Sequence, residues 1–185
     1  MDRLNSITKF RHTSLKNHLS RSAMVSNIYL NNLGKYLKNY EGTFSSDNIK
    51  KYNSRKKNCT FIINLSKTSE KGTHLIAIQI KKSRGVKVFY FDSFGLPCYN
   101  KDILSFIHNI SNKYLYNSLQ IKHPNSDYCG VYCLGFVMHQ DDTNKNYKDF
   151  LKIFNSNNLF SNDKKIVSYI TNNKHIFSRY KTNHI

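Results

Sequence analysis

At 185 residues, 39% hydrophobic and 14% aromatic, the chain is long and apolar enough to bury a core, which excludes wholesale disorder. No apolar run approaches the roughly 18 residues that span a bilayer, so no membrane association is expected, and four cysteines are too sparse for a disulfide-stapled scaffold. The formal charge of +18 is spread along the chain, with 12 Lys/Arg against 3 acids over 1–57, 9 against 4 over 58–140 and 8 against 4 over 141–185; such a surface takes polyanions by counterion release, although an AT-rich coding bias towards Lys, Asn, Ile and Tyr yields the same composition.

The start, Met1-Asp2-Arg3-Leu4-Asn5-Ser6, lacks the apolar core of a signal peptide, so an intracellular protein with free thiols is expected. Residues 1–22 are polar and basic and read as a flexible arm; 23–185 read as a single domain. Ile28, Tyr29, Leu30, Leu33, Tyr36 and Leu37 recur at helical spacing and predict a helix over 26–39. Gly42 ends it, 43–48 read as loop, and Lys50 to Lys57 form a basic connector. Cys59 to Leu65 is a β-rich run. Thr73 to Lys81 alternates, Ser83-Arg84-Gly85 turns the chain and Val86 to Phe91 returns, which predicts a β-hairpin over 73–91. Ser93 to Pro97 breaks it. Residues 101–116 suit an amphipathic helix, 118–122 a short strand and 129–140 a buried helix; further helices are predicted over 146–155 and 162–172. Helices and strands segregate and the strands look antiparallel, so the class is α+β.

Three segments carry chemistry: Gly72-Thr73-His74, Asp92-Ser93-Phe94-Gly95 and Ser126-Asp127-Tyr128-Cys129-Gly130. A thiol attacks an amide only as thiolate, and an ordinary cysteine is mostly protonated at neutral pH. Cys129 opens the predicted buried helix, whose free N–H groups and positive end favour the thiolate. A histidine must then serve as partner cation and later as acid, oriented through its other nitrogen. His74 opens one strand of the predicted hairpin and Asp92 closes the other, and those ends are neighbours in an antiparallel pair. Each residue alone has an ordinary explanation: a small core thiol, a strand histidine, a turn aspartate. Cys133, one turn on, reads as packing rather than as a metal thiol paired with His123 or His139, so no metal site is expected. Cys59 and Cys98 have no recognisable partner spacing.

The three segments resemble the adenovirus-type maturation proteases, within the wider group that includes the SUMO- and ubiquitin-like-protein proteases. That pattern has a Gly-x-His-Trp strand, an acid before a Ser/Pro-Phe-Gly turn, and a Cys-Gly-φ-φ-Cys helix start; Gly42 to Asp47 is similar to a loop of viral and transposon-borne relatives. The likeness covers about 26–140. It implies a papain-like, Ulp-type core with a mixed, largely antiparallel sheet flanked by helices and the nucleophile at the start of a buried helix. By residue match, Cys129 is the nucleophile, His74 the base and Asp92 its orienting group. Two positions depart from the pattern. The aromatic after the histidine is Leu75, and His123 and Lys122 stand where a glutamine usually helps form the oxyanion hole. Gln120, on the same face as residue 122 if 118–122 is a strand, is one candidate for that role, and the Lys122 ammonium is the other. Loss of one such donor costs on the order of 10²–10³ in rate, so a weakened enzyme is one reading.

The resemblance also implies a place in the virion or host nucleus, a substrate among capsid or core precursors, and DNA as an activating polyanion, bound non-specifically, with no cofactor needed for the chemistry. The protein is expected to be a monomeric cysteine endopeptidase. Two other readings stay open: deconjugation of a ubiquitin-like modifier, and a nucleic-acid-binding protein on a protease fold that is no longer catalytic.

Overall fold

Both faces of the central sheet are covered, and this explains why its inner strands are apolar at nearly every position. The computed structural model describes residue 19 and residues 26–52, 56–82, 85–142 and 145–174; the predicted arm over 1–22 lies outside these apart from Leu19, and so do Ser83 and Arg84 of the predicted turn. Five strands lie in the spatial order of the chain: β1 (Tyr40–Ser45), β2 (Asn58–Asn64), β3 (Leu75–Lys81), β4 (Lys87–Phe91) and β5 (Leu115–Tyr116). The outer pairs β1–β2 and β4–β5 are parallel and the inner pairs β2–β3 and β3–β4 antiparallel, so the sheet is mixed and the class is α+β.

The helices are α1 (Asn27–Gly34), α2 (Ser46–Ile49), α3 (Lys101–His108), α4 (Cys129–Gln140), α5 (Tyr147–Leu151) and α6 (Phe160–Asn172). Strand alternation divides the core between the two faces. Ile76, Ile78 and Ile80 pack with Ile103, Phe106 and Ile107 of α3, whereas Leu75 and Ala77 pack with Val131, Leu134 and Val137 of α4. α4 lies between the sheet and α1, α5 and α6, which is why all of its residues from Gly130 to Gln140 are buried. Gly135 permits that contact, since a Cβ there would come within 2.3 Å of Ile166 Cδ1 on α6. No helix among the described residues is long and apolar enough to cross a membrane.

The hairpin, the buried helix over 129–140 and the two C-terminal helices form where predicted, the last two as 147–151 and 160–172. Other expectations are corrected. The helix predicted over 26–39 stops at Gly34, where a Cβ would enter the Tyr40 ring. The stretch read as loop over 43–48 is the end of β1 and most of α2. β1 has no apolar alternation; its pairing with β2, not its composition, makes it a strand. The helix predicted over 101–116 ends at His108, and Leu115 and Tyr116 join the sheet beside β4. Residues 118–122 form no strand: Ile121 and Lys122 donate their N–H groups to the single carbonyl of Ser93, at 3.0 and 3.1 Å, instead of pairing in a ladder.

Gly95 holds the turn that carries this loop. Its φ of +73° favours glycine, and a Cβ would approach the Leu119 carbonyl carbon to 2.7 Å. Gly95→Ala is expected to lower stability by about 2 kcal/mol, roughly 4–8 °C in Tm by calorimetry. An unchanged Tm would show that the turn tolerates a side chain.

Candidate active site

Continuing the β3–β4 register beyond its last pair, Ala77 with Phe91, sets residue 74 opposite 94 and makes residue 92 its diagonal neighbour. A long side chain spans that diagonal. His74 Nε2 lies 2.9 Å from Asp92 Oδ1, and its ring centroid is 5.0 Å from that of Phe94. The backbone fixes the histidine from behind: Leu65 N–H donates to the His74 carbonyl at 2.9 Å. Gly72 comes so close to Asn64 that a Cβ would fall 2.4 Å from the amide nitrogen.

Asp92 is fully buried. Phe94 N–H donates to its Oδ1 at 2.8 Å, so the turn after β4 and the imidazole share one carboxylate oxygen. The Asn117 side chain clamps the backbone of Asp92, accepting from its N–H at 2.9 Å and donating to its carbonyl at 2.6 Å. It acts where a strand neighbour otherwise would. Sequence reasoning missed Asn117, because an asparagine in an Asn-Ser-Leu stretch carries no motif.

Cys129 is the first residue of α4, where the N–H groups of the opening turn have no partner within the helix. The imidazole whose Nε2 meets Asp92 also interacts with the Cys129 thiol, and Nδ1 is the nitrogen left to face it. Burial works against the Cys129 thiolate, but the His74 bond and charge, the Leu75 N–H and the Lys122 charge outweigh it and leave the thiol below its ordinary value. Burial likewise opposes the imidazolium, yet the Asp92 and Cys129 interactions lift His74 to about 9. Both shifts favour one state, a thiolate facing an imidazolium. Two other thiols differ. Burial pushes Cys98 up to about 11 and Cys133 well above the usual range. Cys133 Sγ donates to the Leu75 carbonyl at 3.3 Å and so braces the residue whose N–H serves Cys129.

Gln120 and Lys122 are placed differently. The Gln120 amide donates to the Lys122 carbonyl at 3.0 Å. Lys122 is buried, with its ammonium 4.0 Å from the centre of the Phe94 ring and bonded to the carbonyls of His123 and Ser126. Burial lowers its pKa, partly offset by attraction to Cys129 and to Asp163, Asp127 and Asp92. Phe94 therefore touches both His74 and Lys122, a role the Ser-Phe-Gly motif did not reveal. A cavity of about 310 Å³, lined by His74, Cys129, Leu75, Gly72, Gly130 and Asn64 among others, opens beside the thiol. Among the described residues no group of His, Cys, Asp and Glu is arranged to hold a metal.

Among solved structures the ASFV pS273R protease is similar, with a TM-score of 0.58 at 14% identity over 80% of this chain and 66% of that one. The fold is that of the papain- and Ulp-type cysteine proteases. At this identity the shared property is the fold, and the chain spans just under two thirds of the ASFV enzyme. The central domain of the uncharacterized Lpg1148 protein from Legionella pneumophila gives 0.45 at 11% identity, over 83% of this chain and 98% of that one. The L. pneumophila effector RavZ gives 0.33 at 13% identity, over 65% and 43%. Neither a protein-family model nor a curated protein sequence matches the chain.

The coupling of the three groups fixes a pH dependence. Asp92 raises His74, and His74 in turn lowers Cys129. Asp92→Asn removes the first effect, so the imidazolium is lost at lower pH and the thiol pKa rises. Iodoacetamide should label wild-type Cys129 at pH 6 roughly tenfold or more faster than Cys59, Cys98 or Cys133, and the rate should fall only as pH drops through its lowered pKa. In Asp92→Asn the labelling profile should move to higher pH. Peptide mapping of the adducts reads both results, and an unmoved profile would show that Asp92 does not govern the pair.

Proposed function

We propose that the protein is a cysteine endopeptidase that works through an acyl-enzyme on Cys129. One observation carries this reading: a single imidazole lies 2.9 Å from a buried carboxylate through one nitrogen and interacts with a thiol at a helix N-terminus. The likeness to the ASFV pS273R protease supports it at the level of fold.

In this reading the Cys129 thiolate attacks the scissile carbonyl carbon, and the carbonyl π electrons move onto oxygen. The oxyanion forms beside the unpaired N–H groups at the start of α4. The Lys122 ammonium supplies further positive charge there, where relatives of the resembled group place a glutamine amide. Collapse of the tetrahedral adduct breaks the C–N bond, and the imidazolium gives its proton to the departing amine. His74, now neutral, takes a proton from water as the water oxygen attacks the thioester. The second collapse releases the acid and restores thiolate and imidazolium. Throughout, Asp92 holds the ring through Nε2 and stabilises its charged form.

The substrate in this reading is a precursor of virus structural proteins, processed where nucleic acid is concentrated, and the charge of +18 suits that setting. Cys129→Ala should abolish cleavage of every internal bond that wild type cuts in a peptide library read by mass spectrometry, with Tm retained. Turnover in that variant would exclude the mechanism.

Lys122 separates an active enzyme from an inherited scaffold. Lys122→Met should lower kcat by on the order of 10²–10³, whereas Lys122→Gln, which restores a neutral donor, should keep most of the activity. Equal rates in all three proteins would remove Lys122 from the oxyanion site.

A further inference from the structure

We propose that a basic, aromatic cleft at the end of β3 and β4 remote from Cys129 binds single-stranded nucleic acid. The cleft is a separate cavity of about 490 Å³ that shares no residue with the one beside the thiol. It lies along the outer side of β4, where the two-residue strand β5 and the start of α5 leave the sheet edge open. Besides aliphatic residues such as Val86, Val88 and Leu115, its walls carry two kinds of group that can meet a ligand. Lys87, Lys113 and Lys148 supply positive charge, and Phe89, Tyr114 and Tyr147 supply ring faces.

The three lysines are exposed. The ion pairs among the described residues engage Lys50, Lys56, His74 and Lys152, and none of these three. Lys81 is the register partner of Lys87 and adds a further cation at the rim, its ammonium donating to the Lys145 carbonyl at 3.2 Å. The nearby acids leave this field largely intact: Asp149 is paired with Lys152 at 2.8 Å, and Asp142 acts on Lys81. The rings are half-buried. Tyr147 leans on Phe89 with centroids 4.8 Å apart, and Tyr114 lies 6.3 Å from the exposed Tyr116.

Exposed cations that lack counter-ions attract phosphates, but cations alone do not select among polyanions. Half-exposed aromatic rings between them add a surface for unpaired bases, each worth roughly tenfold or more in affinity, and a duplex keeps its bases stacked inside. A cleft of this volume also takes a base and sugar, which a flat lysine patch does not. Charge and ring together therefore point to a single strand. The proposal does not rest on the protease reading, because the cleft lies about 20 Å along β3 from His74 and contains none of the groups around the thiol.

The test uses the full chain and a fluorescein-labelled oligothymidylate of about twelve nucleotides, a typical single-strand site size, with anisotropy followed over a salt series. Duplex DNA of the same length and heparin serve as comparisons. Tyr147→Leu should weaken the oligothymidylate roughly tenfold and leave heparin unchanged, while Tyr147→Phe should bind like wild type. Lys87→Gln/Lys113→Gln/Lys148→Gln should reduce the magnitude of the salt slope by about 2. It should also weaken the oligothymidylate at least several-fold more than the control Lys51→Gln/Lys67→Gln/Lys164→Gln. The rate of Cys129 alkylation should be unchanged in all these variants, which reports an intact core. Photocrosslinking of wild type to an oligonucleotide carrying 5-iododeoxyuridine should give adducts at Tyr147 or Tyr114, and this measurement needs no variant to fold. Duplex DNA binding as tightly as the single strand, equal losses in the cleft and control triples, or adducts confined to other residues would each overturn the proposal.

Discussion

A buried carboxylate needs a partner, and at Asp92 that partner is an imidazole held above its ordinary pKa. Breaking such a pair from one side typically costs about 3–5 kcal/mol, because the remaining charge stays out of water. The sheet is built so that the pair does not break. Seven register positions join β2 to β3 and five join β3 to β4, so His74 and Asp92 leave strands that cannot slide past each other without turning whole faces out of two cores. The final adjustment is local: the Phe94 N–H and the Asn117 amide fix the carboxylate and its backbone where the ladder ends.

The third member comes from α4, and the apolar character of that helix is what delivers it. Covered on one side by the sheet and on the others by α1, α5 and α6, α4 has almost no freedom to rotate or translate, and its first residue is set in space by the packing of the eleven that follow. The link to the histidine is direct. Cys133, one turn along, donates to the Leu75 carbonyl, and the Leu75 N–H lowers the Cys129 thiol. The backbone of the residue next to His74 is thus held at its carbonyl by one cysteine and used at its N–H by the other. Leu75 stands where the resembled group has an aromatic residue, and here it is Phe94, from the turn after β4, whose ring lies against the imidazole.

How much of this was legible in the sequence follows from what each element depends on. The hairpin and α4 declare themselves through apolar periodicity, because both bury nearly every residue; from them the approach of His74 to Asp92 and the position of Cys129 at a helix start could be derived. β1 could not be read, since Tyr40-Glu41-Gly42-Thr43-Phe44-Ser45 is a strand only by virtue of its neighbour β2. Residues 109–116 kept the pattern of a helix but were drawn to the sheet edge by β4. The loop over 118–122 defeated the reading of Gln120 and Lys122 as strand neighbours on one face. Its shape is set by the Ser93 carbonyl and the close approach at Gly95, both distant in sequence. Asn117 and the Phe94 contacts were invisible for the same reason.

The two ends of the β3–β4 hairpin carry opposite electrostatic designs. At one end the charges are buried, paired and shielded from salt; at the other, a half-buried Lys81 and an exposed Lys87 are partners across the register. The ends are separated by about 20 Å of strand, more than twice the screening length of about 8 Å at physiological ionic strength. The field of the lysines is therefore largely spent before it reaches the thiolate. A polyanion bound in the proposed remote cleft would therefore have little electrostatic reach to His74 or Cys129. Such a ligand would act on the chemistry through where it holds the protein, and hence through the concentration of substrate that the cavity beside Cys129 meets.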